Sequence, residues 1–203
     1  MKKITLGICL LIAIGLLVSA RWGTKAVNAP PDDTLPTPDT SLAVALSVQD
    51  MVSQSDVIAI GNCVETKSVW VDRSLVTLAT VSVSESLKGS ETSTITVALP
   101  GGVDANRSIP VAMTYPGAPR IVPGEDVFLF LTASNDVVPG SYTVAGFSQG
   151  KFSIVTDDEG VKVVSRDLTK TALKDNNGVR RGSSNVIPLE NLTEQVRGYL
   201  KNQ

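Results

Sequence analysis

The chain has 203 residues, of which 42% are hydrophobic and only 4% aromatic, and its formal net charge is −2. Histidine is absent, which removes the usual general base, the usual activator of a nucleophile and the commonest metal ligand. Residues 31–150 carry 5 basic and 13 acidic side chains. This part lacks the clustered Lys and Arg that nucleic acids and anionic membranes attract. We therefore expect no nucleic-acid partner, and membrane contact only through the N-terminal segment.

The N-terminus has the residue order of a secretory signal. Lys2 and Lys3 precede an apolar stretch over residues 4–20, and Arg21 follows it. At about 1.5 Å per residue a helix of this length spans roughly 25 Å, so both a cleaved signal peptide and a retained N-terminal membrane anchor stay open. We expect an extracytoplasmic protein, secreted or anchored to the cytoplasmic membrane by residues 4–20. Residues 21–40 are rich in Pro, Asp and Thr and predict an extended tether.

Residues 41–166 predict one β-barrel domain, in which the apolar pattern indicates strands. Ser47 and Asp50 have the spacing of a capping box that opens a short helix ending near Ser55. A long β-branched run, a polar turn and two alternating segments then predict a three-stranded meander, and the continuously apolar VFLFL is typical of a central strand covered on both faces. The predicted strands cover residues 42–46, 57–71, 79–87, 95–99, 127–131, 142–147, 151–155 and 161–164.

Three further segments complete the prediction. Residues 100–125 hold five prolines and four glycines without a period, so we expect one long irregular loop. Residues 167–188 predict a polar connector. Residues 189–202 predict a C-terminal amphipathic helix with Pro188 in its first turn and an apolar stripe of Leu189, Leu192, Val196 and Leu200.

Two segments carry a resemblance to known proteins. Residues 55–61 (SDVIAIG) and 81–89 (VSVSESLKG) resemble a pattern that recurs in uncharacterised exported bacterial proteins. They are also loosely similar to the first strands of the netrin-like modules of metalloproteinase inhibitors. This resemblance covers residues 47–99 and implies a five-stranded OB-type barrel. Inhibition is not implied, because those inhibitors use a disulfide-held cysteine at the mature N-terminus and this chain has cysteines only at 9 and 63.

The fold class that we predict is therefore mainly β, a small OB-like barrel with a short N-terminal helix and a C-terminal amphipathic helix.

The sequence motifs of this domain predict no catalytic residue, no metal and no cofactor. Residues 146–151 have three residues between their glycines, where a phosphate loop needs four. Ser148 and Lys151 match the Ser-x-x-Lys spacing but fall on expected strands instead of a helix start. The three carboxylates at 157–159 indicate a solvated hairpin tip, and Cys63 a small buried residue.

Recognition is expected on loops, because irregular segments on a rigid β scaffold commonly carry binding residues. The leading segment is the loop over residues 100–125, and Trp70, Tyr115 and Arg120 are the side chains that we expect to contact a ligand or partner. We predict a non-enzymatic binding or interaction module whose partner is another envelope or extracellular protein. The alternatives are a structural envelope domain and a histidine-free hydrolase based on a Ser/Lys pair.

Overall fold

A computed structural model describes residues 39–89, 92–134 and 136–202 of the chain. The predicted export segment and nearly all of the tether lie outside the described residues. Thirteen strands and two helices are formed in the described part, so the prediction of a mainly β protein with a short N-terminal and a C-terminal helix is confirmed. The elements are β1 (Ser41–Val44), α1 (Val48–Gln54), β2 (Val57–Val71), β3 (Ser74–Lys88), β4 (Thr94–Pro100), β5 (Gly102–Asp104), β6 (Val111–Met113), β7 (Asp126–Ala133), β8 (Tyr142–Val144), β9 (Lys151–Thr156), β10 (Lys162–Asp167), β11 (Thr171–Asp175), β12 (Gly178–Arg181), β13 (Ser184–Pro188) and α2 (Leu189–Leu200).

Five strands close into a barrel. The antiparallel meander β2–β3–β4 is extended by β8, which pairs in parallel with β4, and β8 pairs antiparallel with β7, which returns to β2. Closure is favourable because it leaves no free strand edge within the ring. The described strands thus form a small closed barrel within a mainly β protein, in agreement with the predicted fold class.

The barrel interior is filled by the apolar side chains that alternate along its strands. Ala79 and Val81 of β3 point inward, as the alternation predicts, and are fully buried beside Cys63. Strand β2 passes close to β3 at Gly61, where an added Cβ would lie 2.3 Å from the carbonyl oxygen of Ser82. Only glycine allows this approach of the two backbones. Cys63 is a buried free thiol, as predicted.

Strand β7 is covered on both faces and explains the VFLFL segment. Its residues Val127, Leu129 and Leu131 fill the barrel, whereas Phe128 and Phe130 face outward. The centroids of the two outward rings lie 5.3 Å apart, and those of Phe128 and Phe130 lie 6.4 and 6.1 Å from the ring of Phe152 on β9. The three rings belong to a second core that α1 and α2 cover. Strands β9, β10 and β13 continue the sheet beyond β7 and form the floor of this second core.

Both helices begin and pack much as the sequence indicates. The Ser47 hydroxyl accepts the Asp50 N–H and the Asp50 carboxylate accepts the Ser47 N–H, which completes the predicted capping box. In α2, Leu192 and Val196 are fully buried against the second core, while Pro188 occupies the cap position instead of the first turn. Within the described residues, neither helix has the length and apolarity to cross a membrane.

Three predicted segments differ from the structure. Residues 167–188 are not a polar connector, because they contain β11, β12 and β13, and β11 joins β1 and β12 in a separate sheet. The loop over 100–125 contains the hairpin β5–β6. The strand predicted over 142–147 ends at Val144, because Gly146 and Phe147 both take left-handed backbone conformations, with φ of 62° and 68°.

Candidate functional site

The hairpin of β2 and β3 forms an arm that continues beyond the pairing of β2 with β7 and ends in a tight turn. Strand β7 pairs with β2 only over Val57–Asn62, whereas β3 accompanies β2 to its last residue, Val71. Asp72 closes the turn with φ of 52°, a left-handed conformation that aspartate tolerates better than most residues. Trp70, which lies opposite Leu75, is therefore carried at the end of this arm.

The hairpin β5–β6 folds onto the end of the arm. Thr77 donates its hydroxyl to the Gly101 carbonyl at 2.8 Å, and the Val103 N–H donates to the Ser68 hydroxyl at 3.0 Å. The chain can approach this closely because residue 102 is glycine: an added Cβ would lie 2.6 Å from the Ser68 hydroxyl. The hairpin is therefore fixed to the barrel through both backbone and side-chain contacts.

Three side chains meet at this junction. The indole N–H of Trp70 donates to Oδ2 of Asp104 at 2.7 Å, and Nε of Arg107 donates to the same oxygen at 3.0 Å. The Arg107 guanidinium also lies 4.6 Å from the centroid of the Trp70 ring, which is a cation–π distance. The hydrogen bond from Trp70, followed by that from the Asn106 N–H, lowers the pKa of the Asp104 carboxyl. Trp70 is thus held in one orientation by an ionised partner.

The hairpin that carries Asp104 and Arg107 also exposes apolar side chains. Trp70 is 36% exposed, Val103 57% and Ile109 77%, and residues 105–110 of the hairpin are all exposed. We call Trp70, Val103, Asp104, Arg107 and Ile109 the arm-end site. An aromatic ring and a guanidinium that hydrogen bonds orient are the residue types that dominate binding energy at protein interfaces.

The structure brings only one of the three predicted contact residues into the arm-end site. Tyr115 and Arg120 are exposed, but within the described residues neither is linked to Trp70 by a hydrogen bond or a ring contact. Their part of the loop lies elsewhere, because Gly117 packs against Thr171 of β11. Sequence reasoning missed Asp104 and Arg107. Asp104 is 34 residues from Trp70, so no local pattern could have paired them.

A second polar cluster joins the end of the loop to β9. Lys151 donates to both the carboxylate of Glu125 and the hydroxyl of Ser153, and Ser153 donates to Glu125 at 2.7 Å. Burial alone would raise the pKa of Glu125, but hydrogen bonds from Lys151, Ser153 and the Val122 N–H together lower it. Lys151 and Glu125 form a salt bridge, and Ser153 bonds to both, so the three side chains join the end of the loop to β9. The cluster therefore acts as a structural clamp.

The remaining motifs have structural roles. The Ser148 hydroxyl lies beside the Thr171 hydroxyl, whereas the Lys151 ammonium bonds to Glu125 and Ser153, so the two side chains of the Ser-x-x-Lys spacing do not pair. Asp157 accepts the N–H groups of Glu159 and Val161 at the tip of the β9–β10 hairpin. Across residues 39–89, 92–134 and 136–202, no three His, Cys, Asp or Glu side chains are grouped as a metal site would need.

No protein-family model matches the chain, and no curated protein matches its sequence. The similarity to exported bacterial proteins and to netrin-like modules therefore stays a prediction.

Proposed function

We propose that this protein is an extracytoplasmic binding module that engages another envelope or extracellular protein through the arm-end site. The observation that carries the proposal is the fixed orientation of a partly exposed tryptophan: Trp70 is held by Asp104 and covered by Arg107, on a hairpin that also exposes Val103 and Ile109. Tryptophan and arginine are enriched among the residues that contribute most to protein–protein binding.

Pre-organisation strengthens this argument. A side chain that is already immobile loses little conformational entropy when a partner binds, so more of the contact energy appears as affinity. The hydrogen bonds that fix the β5–β6 hairpin to Ser68 and Thr77 supply this rigidity. The export signal over residues 4–20 supports a location outside the cytoplasm, where an envelope or extracellular partner is available.

The test is a quantitative pulldown from envelope extract with the full chain as bait. Ile109→Asp and Arg107→Ala change exposed side chains of the arm-end site, and Val186→Asp places the same charge on an exposed position of β13. A larger replacement of residues 101–124 is unsuitable, because it removes Ile121 from the barrel core. We expect a partner that both site variants lose and Val186→Asp retains. Equal recovery of every partner by all three variants would refute the proposal.

The location is tested separately. A phosphatase reporter that folds only outside the cytoplasm, fused after residue 203, is expected to be active with the native N-terminus and inactive after deletion of residues 4–20. Activity that persists without this segment would contradict the proposed export.

A further inference from the structure

A groove of about 560 Å³ runs beside β1, on a part of the molecule distinct from the arm-end site. Its walls are formed by the whole of β1, by Leu46 and Gln54, and by the turn at Gly146 and Phe147. Leu42 and Val44 are exposed at 55% and 67%. All of these residues are uncharged, so the groove offers apolar surface without a charged group to recognise.

The backbone of β1 has an open edge in this groove. Strand β1 is the terminal strand of the sheet β1–β11–β12. On the β11 side, the Ser41 N–H donates to the carbonyl of Lys170, just before β11, and the N–H of Ala45, just after β1, donates to the carbonyl of Lys174. Because successive residues of a strand direct their N–H and C=O groups to opposite sides, Leu42 and Val44 present theirs away from β11. Among the described residues, no strand pairs with this side of β1.

A side-chain amide already occupies one end of that edge. Gln149 is buried, accepts the Leu46 N–H at 2.9 Å and donates to the Val44 carbonyl at 2.7 Å. These are the two hydrogen bonds that a peptide group of a neighbouring strand would make. The amide therefore marks the plane in which β1 accepts a partner. Within residues 39–89, 92–134 and 136–202, nothing pairs with the edge next to it, from Leu42 to the Val44 N–H.

The opposite wall of the groove is held in a strained conformation. Phe147 has φ of 68°, which is a rare value for a bulky residue, and strain of this kind clusters at ligand-binding segments. Gly146 before it is also left-handed, and an added Cβ there would meet the Leu46 side chain at 2.6 Å. The turn thus keeps Phe147 beside β1.

We propose that the edge of β1 is a docking site for an extended, uncharged peptide segment of another protein. The segment adds as a strand at Leu42, exchanging hydrogen bonds with its N–H and C=O, and places alternate aliphatic side chains in the groove between Val44 and Phe147. Addition of a strand to an exposed sheet edge is a recurring mode of peptide recognition, in which the backbone supplies affinity and side-chain pockets supply selectivity. An uncharged segment fits because a charge would lose its hydration here without gaining a partner.

The test measures binding of a fluorescein-labelled peptide of alternating valine and threonine between terminal lysines. The full chain is held in detergent micelles, empty micelles are the blank, and a peptide with proline at its central positions is the control. Leu42→Pro removes the outward N–H but leaves the bonds from Ser41 and Ala45 to β11, and Leu42→Thr keeps that N–H. Val44→Arg places a charge in the groove at an exposed position, and Val186→Arg is its match on β13.

We expect the alternating peptide to bind and the proline peptide not to bind. Leu42→Pro should weaken binding at least about fivefold, which corresponds to the loss of one hydrogen bond. Val44→Arg should weaken it at least about fivefold because its charge would lose hydration when the peptide covers it, whereas Leu42→Thr and Val186→Arg should change binding less than about twofold. Val44→Arg decides the result if Leu42→Pro unfolds. The proposal is overturned if the native chain binds neither peptide above the micelle blank, or if Val44→Arg binds as tightly as the native chain.

Discussion

The side chain of Gln149 links the turn between β8 and β9 to β1, and a substitution there tests how much this link stabilises the fold. Its side-chain amide is buried and makes three hydrogen bonds to backbone groups: with Leu46, with Val44 and with Gly146 at 3.0 Å. Gln149→Met keeps the unbranched shape of the side chain and removes all three bonds. At a net value of about 1 kcal/mol for each bond, the change should lower the free energy of unfolding by about 3 kcal/mol.

The assay is equilibrium unfolding in urea, followed by circular dichroism. With a slope of about 2 kcal/mol per molar urea, a loss of about 3 kcal/mol moves the midpoint down by about 1.5 M. Gln54→Met is the matched control, because it makes the same chemical change at an exposed position at the end of α1. We expect it to stay within about 0.5 kcal/mol of the native chain. If Gln149→Met is equally neutral, the amide does not tie the β8–β9 turn to β1.

Three further predictions concern charge, helix propensity and the buried thiol. The pKa of Glu125 is lowered in the folded state, so its carboxylate stabilises the fold above the unfolded pKa, and this stabilisation is lost as pH falls through the folded pKa. The free energy of unfolding of Glu125→Gln should therefore depend less on pH below about pH 4.5 than that of the native chain. Gly198→Ala in α2, where an added Cβ meets no atom within 4 Å, should stabilise the protein by about 0.5–1 kcal/mol in thermal unfolding, and a lower melting temperature would contradict this. Burial raises the pKa of the Cys63 thiol, which should therefore react with a disulfide reagent only after denaturation. Cys9→Ser leaves Cys63 as the one thiol to be measured, and rapid labelling of the folded protein would contradict this prediction.

The features predicted correctly from the sequence are those fixed by neighbouring residues. The capping box of α1 depends on two side chains three residues apart, and the continuous apolar run of β7 reflects burial on both faces. Strands β11 and β12 were not predicted because they are short and carry charged side chains, such as Lys174 and Arg180, so their sequences show no apolar alternation. They are strands because β1, about 130 residues earlier in the chain, pairs with β11.

The candidate sites were hidden for the same physical reason. Trp70 could be singled out as a rare aromatic residue, but its partners come from a hairpin whose position is set by glycines and by side-chain bonds to the arm. The β1 groove depends on Gln149, which lies 105 residues from Val44. Contacts over such distances are fixed only when the barrel has closed, and no local periodicity encodes them.

Barrel closure and the β1 groove have a common origin in the edge of β7. That edge pairs with β9 over Val127–Leu129 and with β8 from Leu131 onward, so the chain between β8 and β9 must loop outward around Phe130. Phe130 fixes the base of the loop by donating to the Gly150 carbonyl and accepting the Ala145 N–H. The loop between β8 and β9 carries Phe147, which forms one wall of the groove, and Gln149, which occupies the end of the β1 edge. A change that lets β8 and β9 join into one continuous strand would therefore remove the groove while leaving the other barrel pairings intact.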